Sequence, residues 1–392
     1  MLKAQKILPA QPARNDSGSV HKPWIISPTV DAFTLLSGVT LCLILASLQV
    51  IGIDHRMMLI MIASERFVAL THSWSTTYMV TCSKVFKPLR AARRDIFLTT
   101  PILIFLFCLL LGVLMAKTSL ISDDGALDRS GALYYIYIAL YMIGHFWHFG
   151  RQDFGVLSAY RHRSRQLSPR DRRVDQHFTQ MMMYVIQPII YLSVFIKFPF
   201  FNIVNSVFPL RAIDAVARGA VILAGALFVA VTLFELMKVN RSIPKLVYYT
   251  IMLFHPLFLY FGGLGLTPYW YLGYLWSHWL IATTLAARVH MGFQVKQGVS
   301  FKRAVITHAL AIGWVTLVVW GLTRPLAEFA LLNKDFVDAR EILRTLPPEK
   351  MTIMGLFFGF ILGEQLVHYY CDRWLFRFKD ADVRAAVAAH LG

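Results

Sequence analysis

The sequence predicts an all-α integral membrane protein, a polytopic bundle of helices that crosses the bilayer many times. Of its 392 residues, 57% are hydrophobic and 16% are charged, and the mean hydropathy is +0.54. The apolar residues come in runs of about 20, which is the length at which a helix crosses a hydrocarbon core of about 30 Å. A soluble chain of this length is less apolar, so a membrane protein is expected.

We identify about ten candidate spans, each long enough to cross a membrane. They cover residues 29–53, 56–81, 96–116, 132–155, 179–199, 214–237, 246–266, 268–291, 304–324 and 351–372. We expect one transmembrane domain over residues 25–375, with a polar tail at 1–24 and a basic segment at 376–392. The tail lacks the apolar core of a signal peptide, so it is expected to remain in the cytosol.

Basic residues follow every even-numbered span, as the positive-inside bias requires when both termini are cytoplasmic. These stretches are 84–94, 161–173, 238–245, 296–303 and 373–384. The net charge of +17 therefore belongs to a cytoplasmic face, and no nucleic-acid partner is expected. The four cysteines form no CxxC pair and are expected to be reduced thiols.

The tenth span ends in a stripe of ionisable residues. Glu364, His368 and Asp372 are four residues apart, so a helix places them on one face at successive turns. Ionisable groups at membrane depth cost at least about 2.5 to 3.5 kcal/mol each and usually mark a site. We predict that His368 and Asp372 are metal ligands. Glu364 is a candidate ligand, proton-transfer group or hydrogen-bond acceptor that orients His368.

The fourth span carries a second pair, His145 and His148, whose spacing of three residues also places both rings on one helix face. Further candidate ligands are His72 in the second span and His278 and His290 in the eighth. Most of these histidines fall in the cytoplasmic half of their spans. We therefore expect a metal between spans two, four, eight and ten, near the cytoplasmic side.

Other polar residues near these histidines are candidates for catalysis or binding. Tyr78 ends the polar run 71–78 of the second span, and Asp153 lies in the fourth; each is a candidate ligand or proton-transfer group. Arg151 and the basic stretch 161–173 are candidates for holding an acidic headgroup or for docking an electron-donor protein.

The donor types indicate which metal to expect. Imidazole suits zinc, iron and copper, and a carboxylate beside it favours iron, manganese or zinc. We expect iron, as one or two ions, with zinc as the alternative.

The tripeptide His-Phe-Gly at residues 148–150, in a histidine-rich polytopic helical protein, resembles the bacterial Brp/Blh-like β-carotene-cleaving oxygenases. More broadly, the chain is similar to membrane non-haem iron oxygenases, although it has no HxxHH or HxxxH box of the desaturase and hydroxylase type. The resemblance implies iron, dioxygen and a long apolar substrate that enters from the bilayer. It also implies His72, His145, His148 and His368 as ligands.

Three hypotheses follow. The first is a membrane metalloenzyme, an iron-dependent oxygenase or oxidoreductase that acts on a lipid-like substrate. The second is a proton-coupled transporter in which the buried acids and histidines form a proton relay, although the sequence shows no repeat symmetry. The third makes the histidines axial ligands of haem.

Overall fold

The computed structural model describes residues 24–52, 69–119, 129–195, 210–332, 348–375, 377, 380–388 and 390. This part of the chain is helical and contains no strand. The helices are α1 (Pro28–Val50), α2 (described over 69–81), α3 (Lys87–Ala92), α4 (Thr100–Ser119), α5 (Arg129–Arg163), α6 (Pro169–Met181), α7 (Gln187–Phe195), α8 (Leu210–Leu236), α9 (Ile243–Lys296), α10 (Phe301–Leu332), α11 (Pro348–Leu375) and α12 (Ala381–Ala388).

Within the described residues, five helical segments are long and apolar enough to cross a membrane, which is consistent with the predicted class of helical membrane protein. They are Pro28–Leu48, Asp95–Lys117, Leu210–Leu236, Ile243–Gly263 and Phe301–Val319. Helices α5 and α11, which carry many of the predicted site residues, are not among them. The count of ten spans and the cytoplasmic termini remain predictions. All of the 1–24 tail except Trp24 lies outside the described residues, as do parts of the 376–392 segment.

Glycine and proline explain the irregular places in the helices. Helix α9 bends at Gly263, whose φ of 56° and ψ of −154° are accessible to glycine. This bend lies inside the seventh predicted span, three residues before its predicted end at residue 266. Short π-helical turns at Asp95–Thr99 and Met182–Ile186 each end just before a proline-containing turn, with prolines at 101 and 188. Proline has no N–H to donate to the preceding turn, and a wider turn accommodates that loss.

Helices α4 and α11 approach closely because small residues line their contact. On α11, Gly355, Gly359 and Gly363 recur every four residues, and Gly112 faces them from α4. A Cβ atom on Gly359 would lie 2.5 Å from the carbonyl oxygen of Cys108. In a membrane, close packing of this kind holds helices together. Moving apolar surface from lipid into a helix contact gains little free energy, because the lipid chains are also apolar.

The opposite face of α4 presents large apolar side chains, each more than half exposed. They are Ile102, Leu103, Leu106, Phe107 and Leu110. Such a surface is unfavourable in water and suits contact with lipid chains. Helix α4 therefore packs on α11 through its small residues and offers its large ones to the bilayer.

A buried ionic network joins the ends of four helices. The Lys245 ammonium of α9 is fully buried and lies 2.9 Å from Asp175 of α6 and 3.1 Å from Glu235 of α8. Arg161 of α5 reaches the second oxygen of Asp175 at 2.8 Å. Removing one member would leave an uncompensated buried charge, so the network fixes how these helix ends meet.

Replacing Gly359 by leucine is expected to destabilise the protein by about 1–3 kcal/mol, because the new side chain has no space between α4 and α11. The measurement is the thermal midpoint of the protein in detergent. The control is Gly313→Leu on α10, where an added Cβ meets no described atom within 4 Å. Equal losses in the two variants would contradict the close approach at Gly359.

Candidate metal centre

Four polar residues from three helices converge inside the bundle. They are His72 of α2, His148 of α5, and His368 and Asp372 of α11, hereafter the His₃Asp group. Each offers one ligand atom, and these atoms all lie within 4.8 Å of one another. The four residues are at most 2% exposed. The group can hold a metal ion, so the predicted convergence of histidines and an acid from separate helices is confirmed.

His278 of α9 lies directly beside this group. Its Nε2 atom is 2.9 Å from Nε2 of His148, and its ring centroid is 5.1 Å from that of His72. Two nitrogens bound to one ion at about 2.1 Å are about 3.0 Å apart when they subtend a right angle. His278 is therefore placed to share an ion with His148, or to hydrogen-bond it when none is bound.

Many ligand atoms of the site have no hydrogen-bond partner among the described residues. These atoms include both ring nitrogens of His72 and Nε2 of His368. Leaving a buried polar group unpaired costs about 1–3 kcal/mol, and native interiors contain few such groups. A bound cation would supply the missing partner to several of them at once. The residues therefore fit a metal ion.

Thr76 orients one of the candidate ligands. Its hydroxyl lies one turn after His72 on α2 and is 2.8 Å from Nδ1 of His368. That hydrogen bond fixes the ring and leaves Nε2 available to an ion, an arrangement common around metal-binding histidines. Thr76 is not among the site residues predicted from the sequence, although its i, i+4 spacing from His72 within the polar run 71–78 places the two residues on one helix face.

Aromatic rings enclose the site. Tyr369 stacks on His148 with ring centroids 4.4 Å apart and an interplanar angle of 19°. Phe149 lies against His278 with centroids 3.7 Å apart. These rings are buried and leave the imidazoles in dry surroundings, where charge interactions are stronger than in water.

The predicted chelating pair of His145 and His148 does not form. His145 is buried one turn before His148, and its Nδ1 lies 3.5 Å from the hydroxyl of Tyr369, outside the His₃Asp group. Because His145 and His148 are three residues apart, their positions differ by about 4.5 Å along the axis of α5. Since the other ligands come from neighbouring helices, only one ring of the pair reaches them.

Two other predicted site residues, His290 and Tyr78, meet each other instead of the His₃Asp group. Nδ1 of His290 is 2.8 Å from Nδ1 of His308 on α10, and its Nε2 is 3.0 Å from the side-chain amide of Gln294. The ring of Tyr78 lies 5.6 Å from that of His290. His290 is twelve residues beyond His278 on α9, which is more than three helical turns.

The remaining predicted site residues lie around the group without joining it. Asp153 is five residues beyond His148, on another face of α5, and accepts a hydrogen bond of 2.6 Å from Tyr248. Glu364 is buried one turn before His368, and its Oε2 accepts a hydrogen bond of 2.6 Å from Gln365. Arg151 is exposed, with its guanidinium 6.0 Å from the ring of Trp147.

Comparison with protein-family models, with curated proteins and with solved structures gave no match. The function is therefore inferred from the side chains of the site and their surroundings.

His368→Ala is expected to reduce bound metal at least about tenfold, because it removes one ligand of the His₃Asp group. Metal per chain is measured by elemental analysis of the purified protein. The control is His255→Ala, since His255 is equally buried and lies outside the group. The assignment of His368 as a ligand is wrong if its variant retains wild-type metal content.

Thr76→Val is expected to weaken metal affinity about tenfold while the protein stays folded, because the His368 ring loses its orienting hydrogen bond. Competition with a chelator measures this affinity. Thr81→Val on the same helix is the matched control, since the Thr81 hydroxyl donates to the Thr77 carbonyl within α2. A similar loss of affinity in both variants would contradict a specific role for Thr76.

Proposed function

We propose that this protein is an integral membrane metalloenzyme, a non-haem iron-dependent oxygenase or oxidoreductase that acts on an apolar or lipid-like substrate. The observation that carries the proposal is the buried His₃Asp group in a helical membrane protein. Ionisable residues are costly inside a membrane protein and are retained mainly where they perform a function.

The donor set favours iron. Three imidazoles and one carboxylate, with a fourth imidazole from His278, combine the ligand types of non-haem iron sites, and the group contains no thiolate. Zinc accepts the same atoms, so metal analysis has to distinguish the two ions.

The ligand atoms of the His₃Asp group lie within 4.8 Å of one another, so they are close enough to converge on one ion. Non-haem iron oxygenases hold their iron with histidine and carboxylate ligands and keep open positions for an exogenous ligand such as dioxygen.

Residues of the chain prepare the site for oxidative chemistry. Iron bound there would supply dioxygen binding and electron transfer. Thr76 holds the ring of His368 in one orientation, and the rings of Phe149 and Tyr369 exclude water from the imidazoles. An apolar substrate that arrives laterally from the bilayer would meet these surroundings without crossing an aqueous phase.

The packing of the rings favours an ion over haem. Ring centroids are 4.3 Å apart for His72 and His368, and 4.8 Å apart for His148 and His368. Axial ligands of a haem bind on opposite sides of a broad macrocycle. The described side chains already occupy the space between these imidazoles.

The test begins with iron analysis and an optical spectrum of the purified protein. We expect about one iron per chain and no Soret band. Chelation should abolish activity, and adding Fe(II), but not Zn(II), should restore that activity. Activity is measured as incorporation of isotopically labelled dioxygen into lipids extracted from the expressing cells. The His368→Ala protein is the negative control and His255→Ala the positive one.

Other outcomes would replace the proposal. A Soret band would favour the haem hypothesis. Folded protein without metal would favour a proton-coupled transporter, in which the same buried acids and histidines exchange protons. Stoichiometric zinc without iron would retain the metal site and exclude the oxygenase reaction.

A further inference from the structure

Three arginines surround two tryptophans where α5 and α11 pass the His₃Asp group. Arg151 and Arg373 lie over the ring of Trp147, with guanidinium carbons 6.0 and 5.9 Å from its centroid. Arg373 and Arg377 lie over Trp374, at 5.4 and 4.5 Å. Arg151, Arg373 and Arg377 are called the arginine cluster below.

The cluster has no carboxylate partner among the described residues, in contrast to other arginines of the protein. Arg93 binds Asp380 at 2.8 Å and Asp382 at 2.7 Å, and Arg161 binds Asp175 at 2.8 Å. In the cluster, repulsion from its two neighbours acts on the central guanidinium. Positive charges gathered without a counter-ion form a site for an anion.

Guanidinium and indole groups together match the headgroup of an amphiphile. The guanidinium fork binds carboxylate and phosphate oxygens through paired hydrogen bonds. Tryptophan is enriched at the boundary between lipid and water, where its ring packs on the first part of an acyl chain. Trp147, which is partly exposed, therefore suits the apolar segment that follows an anionic headgroup, whereas Trp374 is buried against Phe97.

The cluster lies close to the metal ligands along both helices. Arg151 follows His148 by three residues on α5, and Arg373 follows His368 by five on α11. At 1.5 Å per residue these spacings are about 4.5 and 7.5 Å along the helix axes. An amphiphile held by its headgroup in the cluster would bring its nearest carbons towards the His₃Asp group.

We propose that the arginine cluster binds the carboxylate or phosphate headgroup of an amphiphile whose hydrocarbon chain extends past Trp147 towards the His₃Asp group. This amphiphile is the substrate of the enzyme. That last step rests on the proposed function, whereas headgroup binding does not.

The experiment measures binding of a brominated fatty acid to the full-length protein in a neutral detergent, through quenching of tryptophan fluorescence. The methyl ester of the same brominated fatty acid is the uncharged comparison, because it has the same hydrocarbon chain and no charge. We expect the acid to bind at least about tenfold more tightly than the ester, and Arg151→Gln/Arg373→Gln to remove that difference. Binding of the ester and the thermal midpoint should stay unchanged.

The control is Arg172→Gln/Arg173→Gln, which removes the same charge from an exposed part of α6. Equal weakening of acid binding in both double variants would show a general effect of surface charge and overturn the proposal. Equal affinity for acid and ester would overturn it as well. If acetate or inorganic phosphate displaces the acid at similar concentrations, the cluster is a free-anion site and the amphiphile is excluded.

The two proposals fail separately. Binding is measured with and without the metal, so a protein that lacks iron can still confirm the headgroup site. Conversely, the protein could incorporate oxygen into lipids while its Arg151→Gln/Arg373→Gln variant binds acid and ester as the wild type does. That result would retain the oxygenase and reject the arginine cluster as its substrate site.

Discussion

The structure depends on one electrostatic constraint: several polar groups are buried together, and protein atoms do not satisfy them. Both nitrogens of His72 and Nε2 of His368 lack hydrogen-bond partners among the described residues. Such groups are expensive in a low-dielectric interior, and their cost rises when they are brought together without a counter-charge. A cation at their centre would convert this cost into binding energy. The capacity to hold a metal ion is therefore a consequence of the burial pattern as well as of the residue types.

The scaffold must hold this arrangement against the tendency of the groups to separate. The glycines of α11 bring its backbone against α4, which fixes the helix that carries His368 and Asp372. At another place, the buried contacts of Lys245 with Asp175 and Glu235 tie α6, α8 and α9 together. A contact between two helix backbones leaves little room for either helix to move, and so does a pair of buried charges. They keep the ligand atoms within a few ångströms of one another before any ion binds.

Metal group and arginine cluster together suggest how the site treats its substrate. Aromatic rings enclose the dry His₃Asp group, while Arg151 and Arg373, which have no carboxylate partner among the described residues, lie within about two helical turns on the same helices. Anchoring a charged end fixes the position of the chain that follows it, and such positioning lowers the entropic part of a reaction barrier. For the proposed enzyme, the arrangement favours an amphiphile over a purely apolar molecule as the substrate.

The sequence alone determined the membrane class, because apolar runs of about 20 residues have few structural alternatives to a membrane-spanning helix. It also determined that His368 and Asp372 share a helix face, because their spacing is local. It also indicated which helices bring their histidines together. Only the tertiary structure decided which histidine of each helix lies in or beside the His₃Asp group: His148 rather than His145, and His278 rather than His290. It also brought Thr76 to His368, a contact between residues 292 positions apart. The physical reason is that a helix apolar on all sides, such as α4, gives little signal of its rotation about its own axis. In this protein that rotation is set by close contacts such as those of Gly359, and these appear only when the helices are packed together.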